Sequence, residues 1–424
     1  PGPQESPRPH GDDGPLRELL ALLEGRLADA FHSDEEREEE VYRRMRAAFQ
    51  EARIGEADLA PRVGYAFHNP SLGRLEGVYA HLFGTEAAFV RPQLVSGTHA
   101  ISVVLDALVD SGMTLLVGPG LPYDTIHPVL GIKNASARSL MGRGVKIVVA
   151  EDEELRADAG APGALSEKPD VVFLQRSRGY ARRRSLDVAD IGRIARAFKA
   201  AGALVIVDNC YGEFVETLEP TQVGADVAVG SLIKNPGGTL APTGSYVVGP
   251  RATLDRVAER LFGLALGDAP GPVPEGLMAY VHGLHLAPHF VSQAIQTTRL
   301  AAALFQELGY DVDPPPEAVR TDIVVRIALG TERRLRRAVE ALQATYPVDG
   351  FARPEPAPLP GYRDPVLMAS AGFVPGATLD LTADGPLREP YDLYLQGGIS
   401  RPQARVALRA MAEAVGARKV GKSS

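Results

Sequence analysis

The chain has no tryptophan, a single cysteine, and no apolar run long enough to span a bilayer. One cysteine, Cys210, excludes an intrachain disulfide and offers no thiolate cluster for a metal, which fits a reducing cytoplasm. Long basic stretches are missing too. The densest, Arg182-Arg183-Arg184, reads as a solvated loop in a chain of formal net charge -8, so neither nucleic acid nor a membrane is expected as a partner. What is present is 424 residues with 45% apolar and 23% charged side chains, enough for one large globular domain and a smaller one.

Residues 1–15, rich in Pro, Gly and charge, read as a flexible lead-in, and residues 16–63 as a helical arm. Helical spacing of Leu19, Leu20 and Leu23, then of Val41, Met45 and Phe49, predicts helices over Leu16–Leu27 and Glu35–Ala52. From residue 64 to 293 short apolar runs alternate with amphipathic helices, the mark of a mostly parallel sheet with crossover helices. The runs are Thr114–Val117, Lys146–Val149, Asp170–Leu174, Ala203–Val207, Val227–Val229 and Ser245–Val248. Residues 294–424 read as a smaller α+β domain: a helix through Leu308, a strand Asp322–Ala328, a basic helix Glu332–Thr345, and strands near Val366 and Leu379.

Four features carry chemistry. Ser96-Gly97-Thr98 opens a helix whose Ile101, Val104, Leu105 and Leu108 face a core, and a glycine turn at a helix N-terminus offers free N–H groups to a phosphate. A simple serine cap explains the same residues. Tyr123 follows the run Thr114–Val117 across a Gly118-Pro119-Gly120 turn, at a carboxyl end of the sheet where ligands bind. Asp208 ends an apolar strand and is followed by Asn209, Cys210 and Tyr211; a carboxylate there calls for a cationic partner, such as a protonated pyridine nitrogen. Lys234, in Ser231-Leu232-Ile233-Lys234-Asn235-Pro236-Gly237-Gly238, is oddly placed for a surface charge and well placed for a Schiff base. Stacking ring, aspartate and lysine in this order fit fold-type-I pyridoxal 5'-phosphate enzymes.

Within that group the sequence resembles the methionine gamma-lyase-like, or aluminium-resistance, proteins. The stretches that carry the resemblance are LEGVYAHLFGTEAAFV (75–90), RPQLVSGTHAI (91–101), QRSRGY (175–180), VDNCYGEFVE (207–216), SLIKNPGGTLAPTG (231–244) and YLQGG (394–398). The resemblance implies an α/β fold with a seven-stranded, mostly parallel sheet and a smaller C-terminal domain. It also implies Lys234 as Schiff-base lysine, Asp208 as partner of the pyridine nitrogen and Tyr123 as the ring-stacking residue. Ser96, Gly97, Thr98, Ser231 and Tyr211 would complete the cofactor site, and Tyr65 would reach the phosphate or substrate of a neighbouring subunit, in a homodimer or tetramer. The family pattern has an arginine two residues after that tyrosine, where this chain has Phe67, so Arg74 becomes the candidate to neutralise the phosphate. Arg388 and Arg178 are candidates for the substrate carboxylate, and Arg176 is a further anion contact.

The implied reaction is β- or γ-elimination on an amino acid, releasing ammonia and a 2-oxo acid. Lys234 would move the α-proton and Tyr123 would assist the leaving group. Rivals on the same cofactor are γ-replacement, transamination and racemisation. A non-catalytic scaffold, or a metal enzyme built on His282, His285 and His289, are rivals of other kinds, although Pro288 argues against one continuous helix through those histidines. No oxygen-ligand cluster suited to aluminium is visible.

Overall fold

The computed structural model describes residues 14–132, 136–156, 168–359, 362–370 and 372–416. Residues 1–13 of the expected lead-in therefore lie outside the described residues, and its last two, Gly14 and Pro15, already belong to helix α1 (Gly14–Arg26), where proline is tolerated in the first turn. Helices α2 (Ala28–Ala52) and α3 (Pro70–Phe83) follow. Asn69 caps α3 by accepting from the Ser71 and Leu72 amides, and Gly84 ends it in the left-handed conformation.

Strand β1 (Ala87–Arg91) and helix α4 (Gly97–Leu108) lead into β2 (Thr114–Gly118), a short helix α5 (His127–Leu130), β3 (Lys146–Val149), α6 (Asp152–Arg156), β4 (Val171–Gln175), α7 (Val188–Ala200), β5 (Leu204–Asp208), β6 (Val227–Ser231) and β7 (Ser245–Gly249). Seven strands pair in the order β1-β7-β6-β5-β4-β2-β3, with β7 alone running against the rest. Six of these strands match the expected apolar runs to within a residue or two. The run Ala87–Arg91, which ends on a charge, went unread as β1.

Helices cover both faces, which is why β4 and β6 are buried along their whole length. The predicted apolar faces of α4 (Ile101, Val104, Leu105, Leu108) and α7 (Ile191, Ile194, Ala195, Phe198) are buried on opposite sides of the sheet.

After α8 (Arg251–Phe262), helix α9 runs unbroken from Met278 to Glu307. The expected break at Pro288 does not occur. Its cost, about 3 kcal/mol, is outweighed by a buried face that includes Leu284, Val291, Ala294 and Ile295. The boundary expected between residues 293 and 294 thus falls inside one helix, which runs from the core of the large sheet into that of the small one.

The second sheet joins β8 (Asp311–Asp313), β9 (Val324–Ala328), β10 (Val366–Ser370), β11 (Thr382–Pro386) and β12 (Asp392–Gln396) in the antiparallel order β10-β11-β12-β9-β8. Helices α10 (Glu332–Gln343) and α11 (Arg401–Val415) share its core with Leu20 and Leu23 of α1. The N-terminal helices are therefore shared out: α1 packs on the small sheet, and α2 reaches that core through Phe31 and the core of the large one through Val41 and Met45. Buried Arg299 of α9 ties them in by donating to Asp34 of α2 at 2.9 Å.

Candidate active site

The parallel strands deliver their carboxyl ends to one edge of the large sheet, and the predicted residues gather there. Thr98, Tyr123, Asp208, Cys210, Tyr211 and Lys234 line one cleft of about 290 Å³, a size suited to a small molecule. Asp208, the last residue of β5, is 3% exposed. Its Oδ1 accepts from the Cys210 amide at 3.1 Å. Burial raises its pKa, against the opposing pull of Lys234, so the site favours a further proton donor facing this carboxylate.

Lys234 sits just past β6, with its Nζ 4.1 Å from the centre of the Tyr211 ring. Tyr211 itself holds φ at 71°, a left-handed conformation that a bulky residue seldom adopts outside functional sites. Burial works against the charge on Lys234, but its surroundings, the Asp208 carboxylate among them, outweigh it and hold the free amine above its ordinary pKa. The loop that carries Lys234 is pressed onto α9: a side chain at Gly238 would collide with the backbone of Gly283.

Polar groups are left unpaired around the first turn of α4. Ser96 caps α4 by accepting from the His99 amide at 3.1 Å, which leaves the amides of Gly97 and Thr98 without partners inside the helix. The Ser231 Oγ is buried and has no hydrogen-bond partner among the described residues. It lies beside Gly97, where even a Cβ would come within 3.4 Å of the Ser231 side chain. An orphaned hydroxyl at a helix N-terminus fits a phosphate. Thr98 Oγ1 bridges from there to the hydroxyls of Tyr123 and Thr125, each at 3.2 Å. Burial, reinforced by Asp208, pushes the Tyr123 phenol well above its usual pKa, so it stands as a neutral donor.

The roof comes mainly from the small sheet and the loops around it: Tyr180, Leu359, Tyr362, Asp384, Tyr394 and Gln396. Tyr180 packs 5.3 Å from Tyr362 and 5.2 Å from Tyr394, ring centre to ring centre. Asp384 accepts from Gln396 at 3.1 Å, and burial raises its pKa to about 6. Of thirteen tyrosines in the chain, the cleft takes Tyr123, Tyr180, Tyr211, Tyr362 and Tyr394, so its walls are aromatic in a protein otherwise poor in rings. A second, more open cavity of about 340 Å³ near Arg91 and Asp268 contains none of the predicted residues.

Comparison with known proteins places this arrangement. The model of the methionine gamma-lyase family matches residues 16–416. The chain belongs to the methionine gamma-lyase family. Within it, a solved structure from Listeria innocua, described as a candidate cystathionine beta-lyase involved in aluminum resistance, shares 37% identity over 94% of this chain and 99% of that one, with a TM-score of 0.90. The uncharacterized protein YnbB of Bacillus subtilis is 36% identical over 93% of this chain and 94% of its own. At 17% identity the pyridoxal-5'-phosphate dependent protein YhfS of Escherichia coli shares the fold alone, with a TM-score of 0.60 over 91% of this chain and 96% of that one. The fold is that of fold-type-I pyridoxal-phosphate enzymes, as the sequence led us to expect.

Against this family background the arginine assignments need correction. Arg388 is outside the cleft, on the surface beside Asp364 at 3.5 Å. Arg178 is buried but turned away to pair with Asp313 of β8, and Arg176 is sealed among Asn209, Glu216 and Glu219 below the strand ends. Arg74 is bound to Asp58 at 2.6 Å, remote from the cleft. The triple arginine is a loop with Arg182 and Arg184 exposed, as read, yet its guanidiniums are also engaged: Arg182 grips Asp392 through two bonds of 2.9 Å, Arg183 donates to the carbonyls of Gln175 and Ser177, and Arg184 pairs with Asp190. The 176–184 loop is thus a latch between the two sheets, reinforced by Ser177 on Asp322.

Tyr65 is 76% exposed and stacked on Phe67 at 5.1 Å, outside this chain's own cleft. Ser96 acts as a cap, and neither it nor Gly97 nor Ser231 lines the cleft. His285 meets Tyr42 edge-on and His289 bonds Glu38 at 2.9 Å, so these two histidines point at different partners and not at a common metal.

Proposed function

We propose that the protein is a pyridoxal-phosphate-dependent lyase that eliminates a carbon–sulfur or similarly activated group from an amino acid, releasing ammonia and a 2-oxo acid. The observation that carries this is the convergence of Lys234, Asp208, Tyr123 and Thr98 on one cleft, together with the orphaned, buried Ser231 hydroxyl beside Gly97 in the first turn of α4. Gly97, Thr98 and Ser231 would hold the phosphate, Asp208 the ring nitrogen, Tyr123 a ring face and Lys234 the aldehyde carbon. When bound, the cofactor supplies an electron sink for charge developing at the substrate α-carbon.

The chain's own groups do the rest. Lys234 Nζ, flanked by the Tyr211 ring, takes and returns the α-proton. Asp208 stays charged against a protonated ring nitrogen, which offsets the cost of burying it. Tyr123, held neutral and fixed by Thr98, gives its proton to the departing group. The tyrosine walls exclude water from these transfers.

We also propose a cytoplasmic homodimer, or a tetramer made of two such dimers, in which the stacked, exposed Tyr65 and Phe67 insert against a second copy and Tyr65 reaches its phosphate. The segment that carries them is preset by backbone bonds from His68 to Ala269 and from Gly271 to Tyr65. Absorption spectra of the pure protein, followed by a panel of amino acids assayed for ammonia and oxo acid, test the reading. A visible band lost in Lys234→Ala, with both products released, is expected. The amine form of the cofactor accumulating without ammonia would instead mean transamination.

A further inference from the structure

The floor uses Lys234 and Asp208, but Asp384 on the roof has no part in that chemistry. Its carboxylate faces the cleft from β11, fixed by Gln396 and by the Tyr180 hydroxyl. Around it stand the rings of Tyr180 and Tyr362. Among the described residues that line the cleft, none is an arginine, and the only cation is Lys234. If the proposed function is right, Lys234 is engaged by the cofactor and Asp208 by the ring nitrogen. That leaves a carboxylate among aromatic faces with no cation of its own, an expensive arrangement unless a ligand brings one. Carboxylates and tyrosine faces share one preferred ligand, an alkylammonium group.

We propose that Asp384, with the rings of Tyr180 and Tyr362, is a cation subsite for the substrate side chain, so that the substrates are amino acids carrying a second, positively charged nitrogen. This covers diamino acids and amino acids whose leaving group ends in an amine. It deepens the proposed function, on which it rests, by naming what the roof selects.

Lysine and norleucine make the test pair, because they share the same unbranched carbon side chain and lysine alone adds a terminal ammonium. Calorimetric titration of the protein as purified, at pH 8, should show lysine binding at least about tenfold tighter. Asp384→Asn should reduce lysine to the level of norleucine while leaving norleucine within about twofold, and Tyr362→Leu should lower lysine alone by about threefold. Equal affinities in the unaltered protein, or an Asp384→Asn loss shared equally by both ligands, would overturn the subsite. The second of those results would indicate a general acid or a structural carboxylate. Visible spectra of the same samples keep the two readings apart. A cofactor band without lysine preference defeats the subsite and spares the lyase reading, whereas lysine preference without a band after cofactor addition does the reverse.

Discussion

The floor and the roof of the cleft use the same kinds of side chain, tyrosines and an aspartate, yet they are built differently. Floor residues sit at or just past the ends of β2, β5 and β6 and at the start of α4, all parts of one sheet edge held by a continuous core. Roof residues come from β11, β12, the 176–184 loop and the segment around Tyr362, tied to one another by contacts such as Tyr394 donating to the Tyr180 carbonyl at 2.8 Å. A rigid floor suits cofactor chemistry shared by a family. A roof on separate elements is free to differ in what it admits.

The largest effects should come from the floor. Lys234→Ala should lower turnover by at least about 10³-fold with the folded state intact, measured as ammonia release alongside circular dichroism. Asp208→Asn should cost about 10²-fold or more, because the ring nitrogen loses its charged partner. Turnover unchanged in either would remove the distinction between the two regions.

The roof should respond to pH. Asp384 titrates at about 6, raised by burial and opposed by Tyr180, Gln396 and Lys234. It is charged above that pH, so affinity for an ammonium side chain should be full at pH 8 and fall as pH drops through about 6. Lysine affinity flat from pH 8 to 5, followed by calorimetry, would mean that Asp384 does not take part.

The latch should act on stability. Arg178→Ala leaves Asp313 uncompensated at the junction of the two sheets; because Asp313 is 32% exposed, water screens part of the loss, and about 1–2 kcal/mol is expected in urea unfolding. Smallest of all, Arg388→Ala should change stability by under about 0.5 kcal/mol and leave KM unaltered, since this arginine is a surface residue. A tenfold rise in KM would restore it as a carboxylate ligand.

The floor was legible in the sequence because buried parallel strands leave apolar runs, and a charge directly after such a run is conspicuous: Asp208 and Lys234 announce themselves. The roof hid behind turn chemistry. Asp384 lies in Thr-Ala-Asp-Gly-Pro, whose Asp-Gly and Gly-Pro pairs read as a turn, although the segment is β11, which starts at Thr382 and not near Leu379. Tyr180 and Tyr394 stood in stretches recognised by resemblance, but nothing local marks a tyrosine as facing a cleft. The arginines misled for the converse reason. A guanidinium near a motif suggests an anion site, and only the fold shows that Asp313 and Glu216 already hold those of Arg178 and Arg176.

One covalent measurement bears most directly on the floor. Borohydride added to the protein loaded with pyridoxal phosphate fixes the cofactor wherever it is bonded, and peptide mass spectrometry then locates it. The account predicts one modified residue, Lys234. A cofactor fixed on another lysine, or on none, would contradict it.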